Sequence, residues 1–199
     1  KVEFSGKKKE HFDTKGIKIL WEGTEDSFHQ LKELITPLSE LYKKYNFELI
    51  LFTDISKNSK AEKVFNLLKL KLRVIHIPWE INKIDEVILS ADIAIAPIDS
   101  SNFVNYAKPF NKLLVYWSYG LPTVCSDIPS YSNLHEKTKI GFCCNNSEEW
   151  VESIDKLIQS AELRNSIGNL GYEYAWGQHS QDKYANKYFK KINEVYKTK

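Results

Sequence analysis

Three features of the sequence predict an α/β domain with a doubly wound parallel sheet of about six strands, helices on both faces and a long C-terminal helix. Short continuous apolar runs recur, as in "GIKILWEG", "FELILFT", "LRVIHIPW" and "ADIAIAPI". Segments of ten or more residues with apolar positions at helical spacing separate them. Strands that must be apolar on both faces, alternating with helices, are what a covered parallel sheet requires. The third feature is a globular composition, 42% hydrophobic and 27% charged over 199 residues, which excludes a disordered chain and suffices for one sizeable domain.

Each element follows in order. Gly16 to Gly23 reads as a strand closed by glycine. Phe28, Leu31, Ile35, Leu38, Leu41, Tyr42 and Tyr45 then follow helical spacing. Pro37 should interrupt that helix unless it sits near a helix start, because proline lacks the N–H and its ring clashes with the preceding turn. Phe47 to Thr53 is the second strand. Ser59 suits an N-cap for a helix turning Val64, Phe65 and Leu68 inward. The third strand stops at Pro78, and Ile81, Ile84, Val87 and Ile88 fall on one helical face. "ADIAIAPI" is the fourth strand. After a polar loop, "NKLLVYWSYG" is helical, "LPTVCS" is the fifth strand and "IGFCC" the sixth. Ser147 is expected to cap a helix with Trp150, Ile154, Leu157 and Ile158 inward, and another runs through Leu163, Ile167 and Leu170. Tyr184, Tyr188, Ile192 and Tyr196 recur every four residues and make the final amphipathic helix. Right-handed crossovers between such strands give a Rossmann-like domain.

Composition narrows the function classes. A formal net charge of +2 argues against a dedicated nucleic-acid binder. No apolar run approaches the ~18 residues of a membrane span, and "KVEFSGKKKE" is no signal peptide. Cys125, Cys143 and Cys144 lack CxxC spacing, so neither a disulfide framework nor a zinc site is expected, and a reducing, cytoplasmic setting fits. The chain has no Met and starts at Lys1, which points to an excerpt from a longer protein.

Ligands of an open parallel sheet bind beyond the carboxyl ends of the strands. The connection after the fourth strand, "APIDSSNFVNYAKPFNK", is long and polar where such loops are normally short. It ends at a helix start, where free N–H groups favour an anion, and Lys108 and Lys112 add positive charge. Together they form a candidate diphosphate site, although solvated surface lysines are the blander reading of the spacing. Gly23 lies at the end of the first strand, as a turn residue or to admit a phosphate. His76 reads as a structural group. Trp79 could stack on a ring or cover the sheet edge, and Pro97 ends the fourth strand. No GxGxxG, HExxH, Walker A or catalytic-triad pattern is present. Glu148 and Glu149 suit a helix start, and no carboxylate cluster marks a metal site.

The stretches "WEGTEDSFHQLKELITPLSELYKKYNFELILFT", "VIHIPWEINKIDEVILSADIAIAPI" and "KPFNKLLVYWSYGLPTVCSDIPSY", followed by the "EEW" helix, resemble the C-terminal half of GT-B glycosyltransferases. The likeness is greatest to the retaining, family-4-like group known as glycosyl transferases group 1, and it runs from about Ile17 onward. It implies residues 1–16 as a linker from a missing N-terminal domain and 17–199 as the donor-binding domain, whose last helix, Gln181 to Tyr196, crosses back to the other half. It also implies that Gly23 and Thr24 lie near the donor's phosphates or sugar. His76 to Trp79, with Pro97 and Ile98, would flank the nucleobase, and Lys108, Asn111 and Lys112 would meet the diphosphate. The family's two glutamates, eight positions apart, fall at Ala107 and Val115, neither of which can accept a hydrogen bond through its side chain. The basic pair that often follows the first strand is replaced by "TEDS".

The expected function is therefore the donor-binding half of a glycosyltransferase acting on a polysaccharide or glycan acceptor, inactive as an isolated domain. No catalytic residue is identified. The nucleotide-sugar is a substrate, no cofactor or metal is implied, and the other partner is the missing acceptor half, through which peripheral membrane association is allowed. The alternatives are a non-catalytic GT-B-like interaction module, or another GT-B enzyme such as a nucleotide-sugar epimerase or polyol-phosphate transferase. A cleft filled by Tyr106, Phe110 and Tyr131 would favour the module; an open basic cleft would favour the transferase.

Overall fold

A computed structural model describes residues 6–13, 16–101, 103–179 and 181–197. Six strands, β1 (Lys18–Glu22), β2 (Glu48–Phe52), β3 (Arg73–Ile77), β4 (Ile93–Ala96), β5 (Thr123–Ser126) and β6 (Phe142–Cys144), form one sheet in the order β3-β2-β1-β4-β5-β6. Every pairing is parallel, so the fold is the expected doubly wound, Rossmann-like sheet. The strands are short and apolar because both faces are covered. Ile19, Trp21, Leu49 and Leu51 enter one core, and the alternate residues Leu20, Ile50 and Phe52 enter the other.

The helices are α1 (Ile35–Tyr45), α2 (Lys60–Lys71), α3 (Ile84–Ser90), α4 (Phe103–Tyr106), α5 (Asn111–Trp117), α6 (Pro129–Thr138), α7 (Ser147–Gln159), α8 (Ala161–His179) and α9 (Gln181–Lys197). Several details differ from the sequence reading. The first expected helix is two elements: a 3-10 segment over Glu25–Leu34, then α1. Pro37 falls in the first turn of α1, where its missing N–H has no intrahelical partner to lose. Ser59 caps α2 as expected, its Oγ accepting from Glu62 N at 3.0 Å. Asn146, not Ser147, caps α7: its Oδ1 accepts from Glu149 N at 2.9 Å, and the Glu149 carboxylate accepts in return from Asn145 N at 2.7 Å. Ile81 and Leu170 point outward, 54% and 47% exposed. Ile81 lies in a separate 3-10 turn ahead of α3, and α8 buries Arg164, Ile167, Gly168, Gly171 and Ala175 instead. Helix α6, which begins on Pro129, has no counterpart in the sequence reading.

Residues 6–13 lie against the domain. Lys9 N donates to Tyr119 O at 2.7 Å, His11 exchanges hydrogen bonds with the Asn165 amide, and Arg164 donates to Phe12 O at 2.8 Å. Cys125 and Cys143 are register partners on β5 and β6, and all three cysteines are free thiols. Among the described residues no helix is long and apolar enough to cross a membrane, and no three His, Cys, Asp or Glu side chains form a metal-binding group.

Candidate functional site

The chain leaves β1, builds outward through β2 and β3, and returns to β4 on the other side of β1. That reversal opens a crevice at the carboxyl ends of β1 and β4, the place where open α/β sheets bind ligands. A cavity of about 240 Å³ occupies it.

The first wall comes from the end of β1. Glu22, Gly23 and Thr24 line the cavity, followed by Ser27 and Gln30 from the 3-10 segment. With three residues per turn, a 3-10 helix aligns every third side chain. Phe28, Leu31 and Leu34 make the buried apolar stripe, while Thr24, Ser27 and Gln30 make a polar stripe beside it that faces the cavity. Thr24 Oγ1 and Ser27 Oγ are hydrogen-bonded at 2.7 Å. Gly23 is there for close approach, because a Cβ would lie 2.7 Å from the Trp21 ring.

The opposite wall is the long loop after β4. Pro97 and Ile98 line its start, and Lys108 and Pro109 its end. Ile98 N donates to Ser126 Oγ at 2.8 Å, and Ser130 Oγ donates to Lys108 O at 2.5 Å, tying one end of the loop to the last residue of β5 and the other to the first turn of α6. Lys112, in the first turn of α5, donates from Nζ to Glu22 O at 2.6 Å, stands 4.0 Å from the Glu22 carboxylate and lies over the Trp21 ring. Tyr131 closes the side, and the buried Tyr116 hydroxyl accepts from Glu22 N at 3.3 Å.

Two ammonium groups thus share a partly dehydrated crevice, and one of them, Lys112, stands beside the Glu22 carboxylate. Burial disfavours their charge, so Lys108 and Lys112 both sit below the ordinary lysine value of 10.5. At Lys112 the Glu22 carboxylate opposes that shift and the Lys108 charge adds to it. An anion entering between them would relieve both the desolvation and the mutual repulsion. Helix α5 is only seven residues long, so the side-chain cations, more than a helix dipole, define the site's charge.

Of the eight residues that sequence reading offered for donor binding, Gly23, Thr24, Pro97, Ile98, Lys108 and Lys112 line this one cavity. Trp79 and Asn111 do not. Trp79 follows β3, two strands away, where its ring stacks on Phe52 at 6.2 Å and its backbone N–H donates to Asp54 Oδ1. Asn111 is exposed at the start of α5. His76 is a structural group, its Nε2 being 2.9 Å from Thr53 O. Val115 is half-buried against the core that contains Leu20, Ile50 and Tyr116, and Ala107 is exposed. Sequence reading missed Glu22, Ser27 and Gln30; the three-residue period of 24, 27 and 30 beside 28, 31 and 34 was the signal for the last two. The crevice is open and basic: Phe110 packs edge-on against His179, Tyr106 is exposed, and of the three aromatics only Tyr131 lines it.

The sequence pattern of the family described as glycosyl transferases group 1 matches residues 6–174. No curated protein sequence matches the chain. Among solved structures, a glycosyltransferase from Rickettsia africae superposes with a TM-score of 0.74 at 19% identity, over 94% of this chain and 49% of that one. HepE from Anabaena, in complex with UDP, gives 0.74 at 14% identity, over 92% and 50%. TarM gives 0.71 at 14% identity, over 96% and 37%. At such identities the likeness is one of fold, and the chain spans half or less of the length of each of these structures.

Proposed function

Because the chain belongs to the glycosyl transferases group 1 family, we propose that it is the donor-binding half of a glycosyltransferase, holding a nucleotide-diphosphate sugar and stabilising the nucleoside diphosphate as it leaves. The observation that carries this reading is the pair Lys108 and Lys112 facing one cavity at the switch point of the sheet. When the bond between the sugar's anomeric carbon and the β-phosphate oxygen breaks, its electron pair stays on that oxygen, and fixed cations placed beside the developing charge are what lower the energy of such a step. Thr24 and Ser27 offer hydroxyls, and Gly23 a close-lying turn, to the phosphates or sugar. Pro97 and Ile98, with Trp79 farther along the sheet edge, would flank the base, and Asn111 would reach the diphosphate from the mouth of the crevice. The acceptor, a polysaccharide or glycan, and the base that activates it would belong to a second half, on which α9 would dock through Tyr188, Ile192 and Tyr196, all exposed here. Retention of anomeric configuration and a cytoplasmic location complete the proposal.

One observation favours a second reading, a non-catalytic interaction module: Val115 packs on the core and Ala107 is exposed, so neither supplies a carboxylate for a ribose. Calorimetric titration with UDP, GDP and CDP separates the two. The donor-binding reading expects at least one to bind, more weakly as salt rises. Lys108→Met should weaken that nucleotide about tenfold or more, since a charge-assisted hydrogen bond is worth roughly 1.5–3 kcal/mol. No binding by any of them at millimolar concentration would favour the module.

A further inference from the structure

Gln30 is a polar side chain only 4% exposed, set between the two walls of the crevice. Its amide has two neighbours, the Pro97 carbonyl and the Lys108 ammonium. Only one orientation serves both: the nitrogen donates to Pro97 O at 2.8 Å and the oxygen accepts from Lys108 Nζ at 3.1 Å. The reverse would set carbonyl against carbonyl and NH2 against ammonium, so the amide is directional. It joins the 3-10 segment after β1 to both ends of the loop after β4.

The two lysines therefore have unlike partners. Lys112 is held by the Glu22 carbonyl and lies near the Glu22 carboxylate, which offsets part of its charge. Lys108 is held by a neutral amide, and among the described residues no carboxylate forms an ion pair with it. A neutral acceptor can fix an ammonium group without cancelling its charge, whereas a carboxylate would compete with an incoming anion. We infer that Gln30 is a positioning residue for the diphosphate of the donor, orienting Lys108 Nζ in the crevice while leaving its charge available. This inference rests on the donor-binding reading of the site.

A double-mutant cycle on UDP affinity tests it, using the native chain, Gln30→Met, Lys108→Met and the double variant, with thermal unfolding recorded for each. Gln30→Met should weaken UDP about five- to tenfold in the native background and leave affinity unchanged in the Lys108→Met background, because its effect passes through that lysine. An equal loss in both backgrounds would mean a merely structural amide and would overturn the inference while leaving the site reading intact. An unchanged UDP affinity on Lys108→Met alone would remove the site reading, and the inference with it. Gln30→Glu is the second variant, needed if Gln30→Met does not fold. Its carboxylate should neutralise Lys108, weaken UDP at least as much, and flatten the salt dependence of binding. Native affinity in Gln30→Glu would contradict the assignment.

Discussion

Lys108 and Val115 show how far single residues can be read from sequence. The polar, lysine-bearing loop before "NKLL" pointed to an anion site because strand-to-helix loops are normally short, and both lysines do face one cavity. Gln30 was not legible as a site residue, because a lone glutamine in a helical run carries no chemical signature until its depth is known. Val115 is the opposite case. The resemblance marked it as standing in a glutamate's place, and the structure gives it an ordinary task, closing a core. Val115→Glu should accordingly destabilise the domain by about 1–3 kcal/mol through partial burial of a polar group, measured by urea denaturation, with no gain in UDP affinity. Undiminished stability together with tighter UDP binding would show that the position faces the ligand after all.

At the scale of elements, periodicity located the strands and most helices but misjudged how they begin and end. A spacing of three or four does not distinguish one helix from a 3-10 segment joined to an α-helix, so the break at Ile35 was expected at Pro37. Helix α6 escaped because "PSYSNLHEKT" has few apolar residues, with only Tyr131 and Leu134 buried. Helix α8 was read by its large residues, yet its contact face is set partly by small ones. At Gly168 the helix lies directly on the Gly120 carbonyl at the end of the α5 turn, and a Cβ would run into that carbonyl. Gly168→Ala should raise helix propensity and nevertheless destabilise the domain, by roughly 1–3 kcal/mol as for other overpacked contacts. Thermal unfolding reads the sign: a melting temperature at or above that of the native chain would mean that α8 can move away without loss.

For the whole molecule, strand–helix alternation was enough to predict a doubly wound parallel sheet, because parallel neighbours need long crossovers. The strand order was not legible, since it depends on which face each crossover takes, and with it the position of the crevice between β1 and β4. At the amino ends of β1 and β4, the end of the strands away from the crevice, Asp92 makes stability depend on pH. Burial works to raise the Asp92 carboxyl, but the His11 ring, the Lys18 N–H at 2.9 Å, and the charges of Lys9 and Arg164 outweigh it, leaving Asp92 below its ordinary 3.8. A lowered carboxyl value means stability that is complete above 3.8 and is lost as pH falls through the folded value. Acid should therefore loosen the hold on residues 6–13, and Asp92→Asn should lower stability at neutral pH while flattening its fall below about pH 4. Parallel acid limbs for the two proteins in equilibrium unfolding would remove Asp92 from that role.

Whether this crevice grips a nucleoside diphosphate is visible in a crystal structure of the chain with UDP. The expected result is a diphosphate between the two walls, with Lys108 Nζ and Lys112 Nζ within hydrogen-bonding distance of its oxygens. UDP lodged on another surface, or an empty crevice in crystals grown at a UDP concentration that saturates the protein in solution, would contradict the account.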